Sequence, residues 1–338
     1  MELPDDVSGR IPMGPGGEFD LIRRLIGPGI ELPSGVLVGS GDDCTVLDGG
    51  VVISTDLVVE GIHFRRDWIT LEEVGYRAAS AALSDVAAMA AEPLGILLSM
   101  ALDPAGAREE AIFLQRGADE ASRIEGVQIL GGDLSRSPGP LMLNLVAVGR
   151  ADAPVLRSGT EAGDEVWVTG WLGASAAAVS LWERGGTPPP TLKEAFARPR
   201  PRLREARWLA ERCGIHGLID LSDGLAGDCG HLASAAGLAI VLEVEDLPVH
   251  PALEEALGSQ EESVQRALSG GEDYELCFSV SPGALDDWVD SFQDSFGIPL
   301  TQVGWAMEGS GVHLESAGRL APASGERGFD HFSGEEKV

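Results

Sequence analysis

One carboxylate in the middle of an alanine-rich helix constrains this chain most. In "VGYRAASAALSDVAAMAAEP", the residues Val74, Ala78, Ala81, Asp85 and Ala88 recur at helical spacing, which puts Asp85 on the apolar stripe. A buried carboxylate without a partner costs several kcal/mol or takes up a proton. A cation or several hydrogen-bond donors must face it. Taken alone, a hydrogen-bonded core aspartate explains Asp85 as well as a functional site does.

The surroundings define the scaffold. Thr70 followed by Glu73 reads as a capping box opening this helix, and Pro93 reads as its end. Glu73 and Arg77 are spaced for an i,i+4 pair. Upstream, "GVLVGSGDDCTVLDGGVVISTDLVVEGIHF" reads as strands broken by turns, with Asp48-Gly49 as a hairpin turn. Downstream, "AREEAIFLQRGADEASRI" reads as a helix, and "VQILGGD" and "LMLNLVAVGR" as strands. Near residue 150 the alternation restarts with "DEVWVTGWLGASAAAVSLW", a strand, a glycine turn and a helix. The 338 residues therefore divide into a flexible arm over 1–16 and two mixed α/β (α+β) domains, 17–150 and 151–338.

Composition narrows the partners. A formal net charge of −30 should repel nucleic acid and anionic membrane. The only lysines are Lys193 and Lys337, which suits a salty cytoplasm or a GC-rich genome equally. The four cysteines are scattered without a CxxC pair and read as reduced thiols of a cytoplasmic protein. The N-terminus has no signal-peptide pattern, and no apolar run is long enough to span a bilayer.

Asp85 is one of five acidic clusters. "GSGDDC" holds Asp42 and Asp43, "ISTDL" holds Ser54, Thr55 and Asp56, and "ILGGDLS" holds Asp133 behind two glycines. "IDLSDG" offers Asp220, Ser222 and Asp223 at a helix start, where an N-cap is the ordinary reading. Each is explicable by turns. Together they supply hard oxygen ligands with almost no histidine or cysteine, a set suited to Mg²⁺ and not to zinc. Mg²⁺ between carboxylates and phosphates is what phosphoryl transfer requires. No Walker A motif is present, and "TGWLGAS" lacks its GK[ST] ending.

These motifs, with "GEFDLI", "LRSG", "SGGEDYEL" and "GFDHF", stand in the order found in the thiamine-monophosphate kinase family, which the chain resembles over residues 17–332. The resemblance implies the two-domain aminoimidazole ribonucleotide synthetase-like architecture, with N-terminal sheets pairing two subunits into a homodimer. It implies ATP and thiamine monophosphate as substrates and several Mg²⁺ ions. By position it implies Asp43, Ser54, Thr55, Asp56, Asp85, Asp133, Asp220 and Asp223 as metal ligands, with Gly132, Asp133, Arg157 and Ser222 on ATP. By the same resemblance Asp85, Asp133, Asp220 and Arg157 would carry the chemistry. His63, Glu272 and Phe329 would face thiamine monophosphate. Ser40 and Leu134-Ser135 depart from the family pattern without removing a ligand, and no tyrosine precedes "GGD" to mark an adenine pocket. Selenophosphate synthetase, a sibling, usually offers a reactive cysteine in its N-terminal stretch, and residues 1–43 contain none.

The expected reaction is direct in-line transfer of a phosphoryl group from ATP to thiamine monophosphate. A non-catalytic nucleotide or Mg²⁺ binder is the alternative from another class.

Overall fold

The computed structural model describes residues 11–13, 17–26 and 32–323, so Phe329 and most of the 1–16 arm lie outside the described residues. The first sheet comprises β1 (Val36–Val38), β2 (Thr45–Leu47), β3 (Val51–Val59), β4 (Glu92–Leu102), β5 (Ile129–Gly131), β6 (Leu134–Arg136) and β7 (Met142–Arg150). Its order is β1-β2-β3-β7-β4-β5, with β6 also paired to β4. Residues 48–50 turn β2 into β3, as the Asp48-Gly49 pair predicts. Before the sheet comes α1 (Gly17–Ile26); against it pack α2 (Leu71–Ala88) and α3 (Ala107–Ile124).

Helix α2 opens with the predicted capping box: the Thr70 side chain accepts from the Glu73 amide, and Glu73 accepts from the Thr70 amide. Its end differs from expectation. The helix stops at Ala88, and Pro93 instead lies at the start of β4. Helix α2 is buried on nearly all sides. Small residues make that possible, because a Cβ at Gly75 would strike the Leu114 backbone and one at Gly117 the Glu72 backbone. The two helices thus touch backbone to backbone.

The second half begins with β8 (Glu165–Thr169), α4 (Ala174–Glu183), α5 (Pro190–Ala197), α6 (Leu203–Cys213), β9 (Leu218–Asp220), α7 (Leu225–Ala236) and β10 (Ala239–Glu243). It continues with α8 (Leu253–Leu257), α9 (Gln260–Ser269), β11 (Leu276–Val280), α10 (Val289–Phe296), β12 (Leu300–Met307), β13 (Gly311–Ser316) and β14 (Arg319–Pro322). The second sheet runs β14-β13-β10-β12-β8-β11-β9. Strand β9, at its edge, contacts α2 and brings Asp220 to the seam between the halves.

Side chains from α5 and its flanks clamp that seam. Trp68 stacks on Trp182 with centroids 5.2 Å apart, Lys193 pairs with Glu73 at 3.0 Å, and the Arg198 guanidinium lies 4.0 Å from the Tyr76 ring centroid. The expected Glu73–Arg77 pair is absent. Glu73 serves the cap and Lys193, while Arg77 turns inward to Glu272. No described helix is long and apolar enough to cross a membrane.

Candidate active site

Strand alternation builds the centre. Along β3, Ser54 and Asp56 share the inward face with Val52 and Val58, whereas Thr55 and Leu57 point the other way. Ser54 Oγ donates to Asp85 Oδ2 across to α2. Asp43 comes from the turn before β2, and Asp220 is the last residue of β9, opposite Leu276 on β11. Asp43, Asp85 and Asp220 each place one oxygen within 4.8 Å of the others. Asp220 is 2% exposed, and its Oδ2 finds no hydrogen-bond partner. Sequence-distant carboxylates from both halves therefore converge on Asp85, and of the donors expected opposite it the Ser54 hydroxyl is the one that reaches it.

The cluster is electrostatically incomplete. Burial and then repulsion from Asp56, Asp220 and Asp43 push the Asp85 carboxyl far above its usual range, against the hydrogen bond from Ser54. Burial raises Asp56 to about 6, and burial with repulsion from Asp43 raises Asp220 to about 8. Such groups hold protons until other positive charge arrives.

One fixed cation is present. Arg157, at a short 3-10 turn after β7, forks onto Asp43 through Nε–Oδ2 (3.0 Å) and Nη2–Oδ1 (2.7 Å). Burial works against its charge, and Asp43, Asp42 and Asp220 together outweigh burial. Asp42 fixes both partners: one oxygen accepts from the Asp43 amide at 2.9 Å and the other from the Arg157 amide at 3.1 Å. Burial first, and Asp43 next, raise Asp42 to about 7.

The loop after Asp220 corrects the N-cap expectation. Gly224 occupies the cap of α7 without a side-chain bond, and the Asp223 and Gly224 amides donate instead to Asp228 Oδ2 at 3.1 and 3.0 Å. Asp223, Asp228 and His231 form a second group with ligand atoms within 4.8 Å of one another. Asp228 was legible as a carboxylate in the first turn of a helix, but nothing in the sequence marked it as buried.

Other expected residues lie apart. Thr55 Oγ1 accepts from Asn144 Nδ2 at 3.0 Å on the opposite face of the sheet, so its side chain does not join the carboxylates. Asp133 stands exposed between β5 and β6, its Oδ1 accepting from the Leu134 amide at 2.9 Å. A Cβ on Gly132 would collide with the Leu98 backbone, so this loop requires glycine there. His63 Nδ1 accepts from the Val59 amide at 3.0 Å, which leaves Nε2 to carry the proton of a neutral ring.

Glu272 lies in a strained loop. Its φ is 70° and that of Tyr274 is 52°, left-handed values that cost about 1–3 kcal/mol each in non-glycine residues. Every acid here is engaged. Glu272 pairs with Arg77, Asp273 accepts from the Gly173 amide at 2.7 Å, and Glu275 pairs with Arg202 and accepts from Thr169 Oγ1 at 2.6 Å. No local signal marks Arg77 for this role, because its partner is distant along the chain.

Comparison with known proteins fits this geometry. The family model described as AIR synthase related protein, N-terminal domain, matches residues 41–151, and the C-terminal domain model matches residues 161–316. A thiamine-monophosphate kinase of Rhodopirellula baltica is 34% identical over 326 residues, covering 92% of this chain and 95% of the relative. One from Mycobacterium tuberculosis is 37% identical over 274 residues, covering 78% of this chain and 80% of the relative. Among solved structures, AaThiL complexed with AMPPCP and TMP superposes with a TM-score of 0.79 at 28% identity, over 94% of this chain and 97% of that one. Thiamine-monophosphate kinase from Stenotrophomonas maltophilia K279a gives a TM-score of 0.74 at 30% identity, over 89% and 96%.

Proposed function

The chain belongs to the AIR synthase related proteins and, within them, to the thiamine-monophosphate kinases, and from that premise we propose that its buried acidic cluster gathers two phosphate substrates around divalent cations. It is a thiamine-phosphate kinase, phosphorylating thiamine monophosphate with ATP. The observation that carries the site is the meeting of Asp43, Asp85 and Asp220 oxygens within 4.8 Å, one of them buried without a hydrogen-bond partner.

That donor set fits Mg²⁺, which prefers hard oxygens. Asp43, Asp56, Asp85 and Asp220, with Ser54, would hold it, and Asp133 and Asp223 would extend the set from their loops. Held there, Mg²⁺ would screen the charge of the reacting phosphates. Thr55 is omitted, since its side chain lies on the far face.

The attacking atom is a phosphate oxygen of thiamine monophosphate. The second ionisation of such a monoester lies near about 6, so the oxygen is already charged at neutral pH and needs no general base. The obstacle is repulsion between polyanions, about 4 kcal/mol for two unit charges ~4 Å apart at an effective dielectric of 20. Arg157 addresses it: Asp43 occupies Nε and Nη2, which leaves Nη1 for a phosphate. Asp42 keeps that guanidinium in place through its backbone amide. Ser222 and Gly132 would contact ATP, and His63, Glu272 and Phe329, the last outside the described residues, would face thiamine monophosphate. Transfer is direct and in line, without a phosphorylated enzyme.

The partner is a second copy of the chain. Leu57 on β3 and Leu97 on β4 lie exposed on the outer face of the first sheet, and Leu130 on β5 is 59% exposed. Exposed apolar side chains on a sheet face suit a homodimer contact. Acidic surface and free buried thiols suit the cytoplasm.

The deciding experiment incubates purified protein with ATP, Mg²⁺ and thiamine monophosphate and separates products by chromatography. Thiamine diphosphate and ADP should appear in equal amounts. Their absence rejects the reading, and labelled phosphate left covalently on the protein rejects direct transfer.

A further inference from the structure

Resting on the kinase reading, we infer that Arg77 is a positioning residue for the organic half of the substrate. It acts through Glu272, holding that carboxylate as a neutralised hydrogen-bond acceptor for the aminopyrimidine ring, not as a counter-ion for the thiazolium.

Arg77 projects from α2, the helix that carries Asp85, and is 3% exposed. Its guanidinium pairs with Glu272, donates to the Phe196 carbonyl at 2.5 Å and sits 4.0 Å from the Phe196 ring centroid. It is thus held by three contacts, two of them from Phe196 of α5. A guanidinium and a carboxylate in contact carry no net charge between them. A permanent cation gains little by approaching such a pair and still loses water. A carboxylate, however, accepts several hydrogen bonds. The Glu272 side chain remains 28% exposed, so part of it faces outward, open to a neutral N–H donor such as the pyrimidine amine.

The backbone agrees. The Glu272 amide donates to the Ser222 carbonyl at 2.7 Å, and the Tyr274 amide donates to the Leu221 carbonyl at 2.9 Å. The loop bearing the acceptor is therefore hung on the segment bearing Ser222 and Asp223. Two left-handed residues persist only where their surroundings over-determine them. Arg77 and these two bonds provide that constraint, and they fix the carboxylate before substrate arrives.

The test is a double-mutant cycle read in Michaelis constants. Arg77→Met should raise KM for thiamine monophosphate about tenfold, with KM for ATP changing by less than about twofold, and Arg77→Lys should recover part of the loss. In a Glu272→Gln background, Arg77→Met should add less than about twofold. The wild type should disfavour an analogue whose pyrimidine amine is replaced by a carbonyl by about tenfold or more, unchanged from low salt to about 0.5 M KCl. Additive effects, equal rises in both KM values, or discrimination that fades with salt would overturn the inference. Should Arg77→Met fail to fold, the cycle is run with Arg77→Lys and decided by the same criterion. A wild type that makes no thiamine diphosphate refutes the kinase reading instead, a result distinct from all of these.

Discussion

The Arg157 guanidinium and the Asp43 carboxylate meet through two parallel hydrogen bonds, with the Asp43 side chain only 1% exposed. The pair ties the turn before β2 to the segment that enters the second half. Removing one member leaves the other charge buried alone. Arg157→Met should therefore cost about 3–5 kcal/mol of stability, and Arg157→Lys should recover part of it without the fork. Urea unfolding reads the stability, and KM for ATP should rise in parallel. Unchanged values in both would remove Arg157 from the site.

Stability should depend on pH in a sense set by the carboxylates. Burial, with help from neighbouring charge at Asp42 and Asp220, raises Asp42 to about 7, Asp56 to about 6 and Asp220 to about 8, from an ordinary value of 3.8. Between these limits the folded chain binds more protons than the unfolded chain. Stability of the metal-free protein therefore falls as pH rises from about 4 to about 8 and levels off above. Mg²⁺ replaces those protons, so the melting temperature it adds should grow over the same window. Thermal melts with chelator or with Mg²⁺ check both slopes, and a rising metal-free slope contradicts the account.

Asp85→Asn removes a charge that the apo cluster repels and a ligand that the loaded cluster needs. Turnover should fall more than about a hundredfold. The metal-free melting temperature should hold or increase, because burial no longer confines a carboxylate there. Full activity in this variant would exclude Asp85.

Leu57→Lys puts a charge on the exposed outer face of the first sheet, on β3. Sedimentation should show the wild type as a dimer and this variant shifted toward monomer, with its helical content intact. A monomeric wild type would reject the proposed contact.

The fold was largely readable because its signals are local. Alternating runs gave β3, β7 and β12, and Thr70 with Glu73 gave the start of α2. Asp85 stands out as a carboxylate among alanines, whereas its meeting with Asp43 and Asp220 is set by packing between the two halves. Side-chain direction was less so: Ser54, Thr55 and Asp56 read as one cluster, although adjacent strand residues face opposite ways. Arg77 was assigned to Glu73 by helical spacing, and the stronger partner lay in a loop that only tertiary packing brings near. Pro93 misled because proline is also tolerated where a strand begins.

The backbone contact at Gly75 and Gly117 leaves no soft layer between α2 and α3. The helix carrying both Asp85 and Arg77 is thus packed against its neighbour at backbone distance. In the proposed arrangement, with Asp85 at the phosphoryl end and Arg77, through Glu272, at the ring end, that helix acts as a gauge: a rise of roughly 12 Å separates the two positions. A molecule of another length would meet one end of it and miss the other.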